Sequence, residues 1–323
     1  MTSAVQPEKI LRELTKLWVD LGHEEGVLRA CAMTLIVACE GSNDVEEAGE
    51  ALAELMREHP SRAIVLRVLN EEEPKLESRV FAQCWMPFGR RQQICCEQIE
   101  ISATKSRLSD VYSAMLGLTV PDLPVILWLR CGKLIKMPEF QPLLHIARSV
   151  IIDSSTLPSA TEALALLETA HNEGWRVKDL AWTRITRWRE IVAQTFENPA
   201  MRARAIKTIT VRHSGDKVPA EAYYAGAWLA ARLPDAKLLF APAISELNCG
   251  LQGLLFEGPD FHVSITPSSA SALDIMVDTF TGHVVLPELA PWQLVEEELS
   301  ILGNDPVYEC TIHQASALAR SPQ

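Results

Sequence analysis

The chain has 323 residues, a hydrophobic fraction of 48% and a formal net charge of -12. That length points to two domains with ample material for their cores. The negative charge argues against general affinity for nucleic acid or anionic membrane, since both require a positive field. No apolar run reaches bilayer length, and the amino-terminal stretch has no apolar h-region, so a cytoplasmic location is expected. The eight cysteines are expected as reduced thiols. None forms a C-x-x-C pair or stands at finger spacing to a histidine, so no metal site is expected. Cys95 and Cys96 are adjacent and read as buried free thiols.

Residues 8–21 place Ile10, Leu11, Leu14, Leu17, Trp18 and Leu21 at helical spacing. CAMTLIVAC at 31–39 reads as a buried strand. Asn43 opens a helix with Glu46 in capping-box position and an apolar stripe of Val45, Ala48, Leu52, Leu55 and Met56, stopped by Pro60. HPSRAIVLRV at 59–68 is near-continuously apolar, as in a strand covered on both faces. Strands are expected over 78–86 and 93–103, then a short helix around Val111, Met115 and Leu116. Val125–Leu129 reads as a buried strand, 139–147 as a short helix, 149–155 as another buried strand, and Ala160 to Gly174 as a helix ended by glycine.

This alternation predicts a first domain, 1–174, with a mixed or mostly parallel sheet flanked by helices. The character then changes. Residues 176–212 hold nine basic residues (Arg176, Lys178, Arg184, Arg187, Arg189, Arg202, Arg204, Lys207, Arg212) against three acidic ones. Trp188, Ile191, Val192, Thr195 and Phe196 trace an amphipathic helix, and 207–213 a strand. Glu221 to Arg232 is a helix apolar nearly all round, in which Gly226 would permit close packing. Short strands near 237–241, 251–256, 261–266, 272–277 and 283–286 suggest an antiparallel meander, and a helix near 291–302 and a strand near 307–313 complete the reading. The second domain, 175–323, is therefore expected to be α+β.

Neither G-x-G-x-x-G nor a P-loop occurs, and there is no G-x-S-x-G or H-E-x-x-H. No catalytic residue and no cofactor is assigned. Asp153-Ser154-Ser155 follow a buried strand at the end where open α/β sheets place ligands, although capping of the following helix or turn accounts for them more simply. His59 and Arg62 flank a helix end, and read as a dipole partner and a partner of a nearby acid. DLAWTRITRWRE at 179–190 concentrates Trp182, Arg184, Arg187, Trp188 and Arg189 in an acidic chain. Tryptophan and arginine are enriched at binding hot spots, but on composition alone the simpler reading is tryptophans in a core with the arginines on a wet face.

The strings HPSRAIVLRV (59–68), CCEQIEI (95–101), VPDLPVILWLR (120–130), RSVIIDSS (148–155), DLAWTRITRWRE (179–190) and YYAGAWLAARL (223–233) occur in order. In series they resemble the OpcA family, the glucose-6-phosphate dehydrogenase assembly proteins of bacteria. The resemblance implies a non-catalytic assembly factor and allosteric activator that binds glucose-6-phosphate dehydrogenase and favours its active oligomer. Charge contrast places the expected partner surface at Arg184, Arg187 and Arg189, with Trp182 and Trp188 behind them. The alternative is a sugar-phosphate-binding enzyme or sensor of the oxidative pentose phosphate pathway, with a ligand pocket near Arg130, Asp153 and Ser154.

Overall fold

The computed structural model describes residues 6–21, 27–86, 93–197, 205–243, 250–301 and 303–321; Arg202 and Arg204 lie outside them. The chain forms two compact units. The first comprises Met1–Ile152, Arg176–Lys178 and Pro291–Ser300, the second Asp153–Trp175, Asp179–Ala290 and Ile301–Gln323.

The first unit is an eight-stranded sheet with helices packed on it. The amphipathic α1 (Pro7–Leu21) buries Ile10 and Leu14. Strands β1 (Val27–Arg29), β2 (Met33–Glu40), β3 (Ser61–Leu69), β4 (Leu76–Trp85), β5 (Gln93–Thr104), β6 (Val125–Leu129), β7 (Ser149–Ile152) and β8 (Val177–Asp179) follow in the chain. Their order is β1-β5-β3-β2-β6-β7-β8, with β4 pairing β5. The β5-β3-β2-β6-β7 ladder is parallel throughout, and β4 runs antiparallel to β5. The apolar runs of β2 and β3 are buried along most of their length because helices cover the sheet. Those helices include α2 (Ser42–Glu58), which packs on β2 and β3, α3 (Leu108–Leu118) on β5, and α4 (Gln141–Ile146) on α3.

Two expectations for this unit are corrected. The capping box at Asn43 and Glu46 does not form. Helix α2 begins one residue earlier, after Gly41 at φ 87°, and no side chain caps it. Instead the Asp44 carboxylate accepts from the Glu40 amide at 3.0 Å, which ties the helix start to the end of β2. The second correction concerns the thiols. Cys95 is bonded to Cys84, which stands directly opposite it in the β4–β5 register, while Cys96, on the other side of the pleat, is free and buried. Only the strand pairing brings residues 11 apart in sequence into that register.

Glu97 is the polar centre of this unit. It is 4% exposed and accepts from Trp18 Nε1, Arg29 Nη2 and Arg62 Nε, each at 2.6 Å. Arg62 also donates to the Leu118 carbonyl at 2.8 Å. Arg62 thus pairs with a nearby acid, and His59 occupies the C-cap of α2, both as expected.

In the second unit α5 (Ala160–Asn172) is capped by Ser159, whose side chain accepts from the Glu162 amide at 3.3 Å, and it ends before Gly174 at φ 86°. Then come α6 (Leu180–Arg184), α7 (Thr186–Glu197), β9 (Thr208–His213), α8 (Ala220–Arg232), β10 (Lys237–Pro242), β11 (Leu251–Glu257), β12 (His262–Ser269), β13 (Ala272–Val277) and β14 (Phe280–Val285). The sheet order is β10-β9-β11-β12-β13-β14. β11 to β14 form the antiparallel meander expected there, but β10, expected as its first strand, instead pairs in parallel with β9 at the sheet edge, because α8 crosses back between the two.

Helix α8 packs on β9 and β10 and buries every residue from Ala220 to Leu229. A Cβ at Gly226 would stand 2.7 Å from the Phe240 ring, so glycine permits this approach. Helix α9 (Pro291–Ser300) belongs to the first unit and packs on α2. The strand expected at 307–313 is instead part of α10 (Pro306–Arg320), in the second unit. Asp305 caps it through the Val307 and Tyr308 amides, Pro306 fixes its first turn, and Tyr308, Ile312, Ala315 and Ala319 form its buried stripe.

Candidate functional site

In the first unit the crossover between β2 and β6 creates a topological switch point. The run β5-β3-β2-β6-β7-β8 reproduces the 3-2-1-4-5-6 order of dinucleotide-binding sheets, in which pyrophosphate rests on the first crossover helix behind a glycine-rich turn. Here that place is taken by charge pairs of the chain itself. Arg130, one residue beyond β6, bonds to Asp44 and, at 2.6 Å, to Glu47, both in the first turns of α2. Its guanidinium also lies 5.2 Å from the Trp128 ring centroid. At the end of β2, Glu40 accepts from Cys131 Sγ at 3.1 Å and from Asn70 at 3.1 Å. The Cys131 hydrogen bond is the largest influence holding its carboxyl below the usual range, against the effect of burial. A pyrophosphate at this helix start would meet two carboxylates and an arginine already neutralised by them. The residues present do not fit a dinucleotide.

In the second unit the sequence DLAWTR builds a buried charge cluster. Asp179 caps α6 by accepting from the Ala181 amide at 3.0 Å, and also accepts from the Ser154 amide at 2.9 Å and the Tyr224 hydroxyl at 2.7 Å. Its burial is complete, and this desolvation, together with the charge of Asp153, pushes its pKa up to about 6. Tyr224 is pushed up in turn, by burial first and then by Asp179. Arg184 spans two acids: Nη2 reaches Asp153 at 2.7 Å and Nη1 reaches Glu221 at 3.0 Å. Burial opposes the charge of Arg184, yet Asp153 and Glu221 hold its pKa above the usual value. Glu221 is raised, chiefly by burial, although Arg184 pulls the other way. One guanidinium among three carboxylates, Asp179 and Glu221 buried and Asp153 partly exposed, leaves negative charge in excess, which adds to burial in raising Asp179 and Glu221.

The sequence-predicted residues fall into separate settings. Arg130 lies in the first unit, Asp153 and Ser154 in the second. Ser154 is 1% exposed and sits against Asp179, to which its amide donates at 2.9 Å. Trp182 is buried, donates from Nε1 to Asp305 at 2.9 Å and meets the Tyr224 ring edge-on at 5.8 Å. Arg189 stacks on Trp182 with its guanidinium 3.6 Å from the centroid. Trp188 is buried in α7. Arg187 has half its side chain exposed and pairs with Glu190 at 2.7 Å. Sequence reasoning missed Asp179, Glu221 and Tyr224. The signal was available for the last two: polar side chains on an otherwise apolar, fully buried helix require partners.

Among the described residues no helix is long and apolar enough to cross a membrane. Among them, too, no group of three His, Cys, Asp or Glu side chains is placed to hold a metal ion.

Residues 52–169 match the family model for a glucose-6-phosphate dehydrogenase subunit N-terminal domain, and residues 176–312 match that for the C-terminal domain. The chain belongs to the OpcA family. It is similar to the "Putative OxPP cycle protein OpcA" of Synechocystis, at 28% identity over 71% of this chain and 48% of that protein. A protein of the same name from Nostoc punctiforme is 30% identical over 56% of this chain and 39% of its own length. The chain thus spans about half or less of the curated relatives it matches. Among solved structures, a 3-ketoreductase from Actinomadura kijaniata, crystallised with NADP and TDP-benzene, superposes with a TM-score of 0.50 at 9% identity, over 89% of this chain and 95% of its own. At that identity the likeness concerns the fold alone. A dinucleotide-type sheet in this OpcA-family chain therefore coexists with a helix start that carries carboxylates where such folds hold phosphate.

Proposed function

We propose that this chain is a non-catalytic partner of glucose-6-phosphate dehydrogenase, in the cytoplasm, that favours the enzyme's active oligomer. Family membership supports the association with the dehydrogenase. The observation that carries the non-catalytic reading is the Arg130–Asp44–Glu47 cluster, which puts two carboxylates where a nicotinamide dinucleotide would need to seat its phosphates. A binding protein can activate an enzyme only by holding its active form more tightly than its inactive form, typically by about 1–3 kcal/mol. We place the partner surface on α6 and α7, at Arg187 and Arg189 with Trp182 and Trp188 behind them, and the division of the chain into domains at 174/175; Arg184, expected on that surface from charge contrast, is engaged by Asp153 and Glu221. Arg187, half exposed, is the residue most accessible to a partner.

The deciding experiment measures activity and sedimentation of the cognate dehydrogenase with and without the chain. A rise in active oligomer with the wild-type chain, reduced by Arg187→Glu, is the expected result. A dehydrogenase whose assembly and kinetics ignore the folded chain would refute the proposal. Turnover of a sugar phosphate by the chain alone would refute its non-catalytic part.

A further inference from the structure

The sheet of the second unit has two edges, and they are built differently. The β10 edge opens with Lys237 and closes with Pro242, a charge and a residue without an N–H, and both discourage a further strand. The β14 edge (Phe280–Val285) has neither. From Thr279 to Pro287 the chain carries no acid, lysine or arginine, and β14 pairs with β13 without a register shift. Among the described residues β14 has no other neighbouring strand. Phe280, 79% exposed, and Val285, 71% exposed, are the most exposed large apolar side chains among them.

The hydrogen-bond phase fixes what this edge offers. The Leu286 amide donates to the Ser271 carbonyl at 2.8 Å, so by the alternation of an antiparallel ladder Phe280, Gly282 and Val284 bond inward to β13. The amides and carbonyls of Thr281, His283 and Val285 therefore point outward. Phe280, Gly282 and Val284 share one face of the sheet. A Cβ at Gly282 would meet nothing nearer than the Ile275 carbonyl at 3.9 Å, so the space over this glycine is open.

We infer that β14 pairs with β14 of a second copy of this chain, antiparallel, about a two-fold axis at Gly282. In that register Thr281 exchanges hydrogen bonds with the partner's His283, and Phe280 stands opposite the partner's Val284. The Phe280 ring leans over the partner's Gly282, the way aromatic side chains stabilise strand glycines. An aromatic against a β-branched residue is a favourable cross-strand pair, and the two-fold makes each contact twice. An antiparallel partner also continues the direction of the β11–β14 meander. Charge permits the approach: each copy carries -12, but this stretch is uncharged, and Asp274 beside it is paired with His283 at 2.7 Å. An axis at His283 would set that residue against itself and leave Phe280 opposite Leu286, beyond the strand. Phe280 and Val285 of both copies supply on the order of 500 Å² of buried surface, below the about 1,200 Å² of stable complexes, so the dimer is weak. Nothing in this pairing depends on the dehydrogenase.

The test is sedimentation velocity of the full chain alone, from about 10 μM to about 1 mM. The sedimentation coefficient should rise from monomer to dimer across that range. Phe280→Glu and Val285→Lys, both at exposed positions, should each weaken dimerisation by about tenfold or more, while Leu239→Glu on the β10 edge should leave it unchanged. Gly282→Cys should give a disulfide-linked dimer on oxidation, beyond the level set by the exposed Cys310 of the wild type, because non-hydrogen-bonded partners lie about 4.5 Å apart. A monomer throughout, or a dimer indifferent to both edge variants, would overturn the proposal. Linkage through His283→Cys in place of Gly282→Cys would overturn the register. A chain that stays monomeric while Phe280→Glu reduces its capture of the dehydrogenase would assign the edge to that enzyme and not to a second copy.

Discussion

Glu97 and Asp179 are both buried carboxylates, and their surroundings set them apart. Glu97 faces two guanidinium groups and an indole N–H, so its charge is matched. Glu97→Gln leaves Arg62, itself buried, without its counter-charge and should destabilise the first unit by about 3 kcal/mol in urea unfolding. A change under 1 kcal/mol would show that Arg62 is not dependent on this acid. Asp179 has only neutral donors and lies near Asp153, and its pKa rises from 3.8 to about 6. Between those values the native state keeps a proton that the unfolded chain has released. Stability therefore falls as pH rises through that window, and the effect is complete above it. Asp179→Asn removes this dependence. The wild-type minus variant stability should drop by about 2 kcal/mol between pH 4 and pH 7; an unchanged difference would mean that Asp179 titrates normally.

At the scale of elements, the β4–β5 pair and α8 depend on contacts from far along the chain. The Cys84–Cys95 bond links strands at one register position. Cys84→Ser should cost about 2–3 kcal/mol in thermal or denaturant unfolding, mainly through freedom restored to the unfolded chain. Equal melting of wild type and variant under oxidising conditions would rule that out. In α8 the constraint is steric. Gly226→Val inserts a branched side chain 2.7 Å or less from the Phe240 ring, which must move with β10. A loss of about 1–3 kcal/mol is expected, and a neutral substitution would show that Phe240 swings away freely.

At the scale of the whole molecule, the two units carry different chemistry. The first has the sheet order of a dinucleotide-binding fold but a charge-paired switch point. NADP+ in millimolar excess should therefore leave the melting temperature of the chain unchanged, whereas a ligand at a hundredfold its Kd would add about 2.7 kcal/mol. A saturable rise in melting temperature would refute the reading of α2 as closed to phosphate. The second unit carries the Arg184 cluster and the proposed partner surface on α7.

Much of the architecture was legible before any coordinates. The apolar runs of β2, β3, β6 and β7 declare strands covered on both faces, and Gly174 and Pro60 mark helix ends, because burial periodicity and backbone restriction are local properties. The same locality misled at 307–313, where a β-like composition hid the Asp305–Pro306 start of α10. The Trp–Arg segment drew notice through its composition, but composition could not say that Trp182 turns inward to Asp305 and Tyr224. What only tertiary structure decided were the long-range partners: Cys84 with Cys95, Glu97 with Arg62, Arg184 with Glu221, and Asp179 with Tyr224. A local sequence pattern records which groups want burial or a partner. Which partner each one obtains depends on how the chain closes its loops, and that is settled only when the whole unit packs.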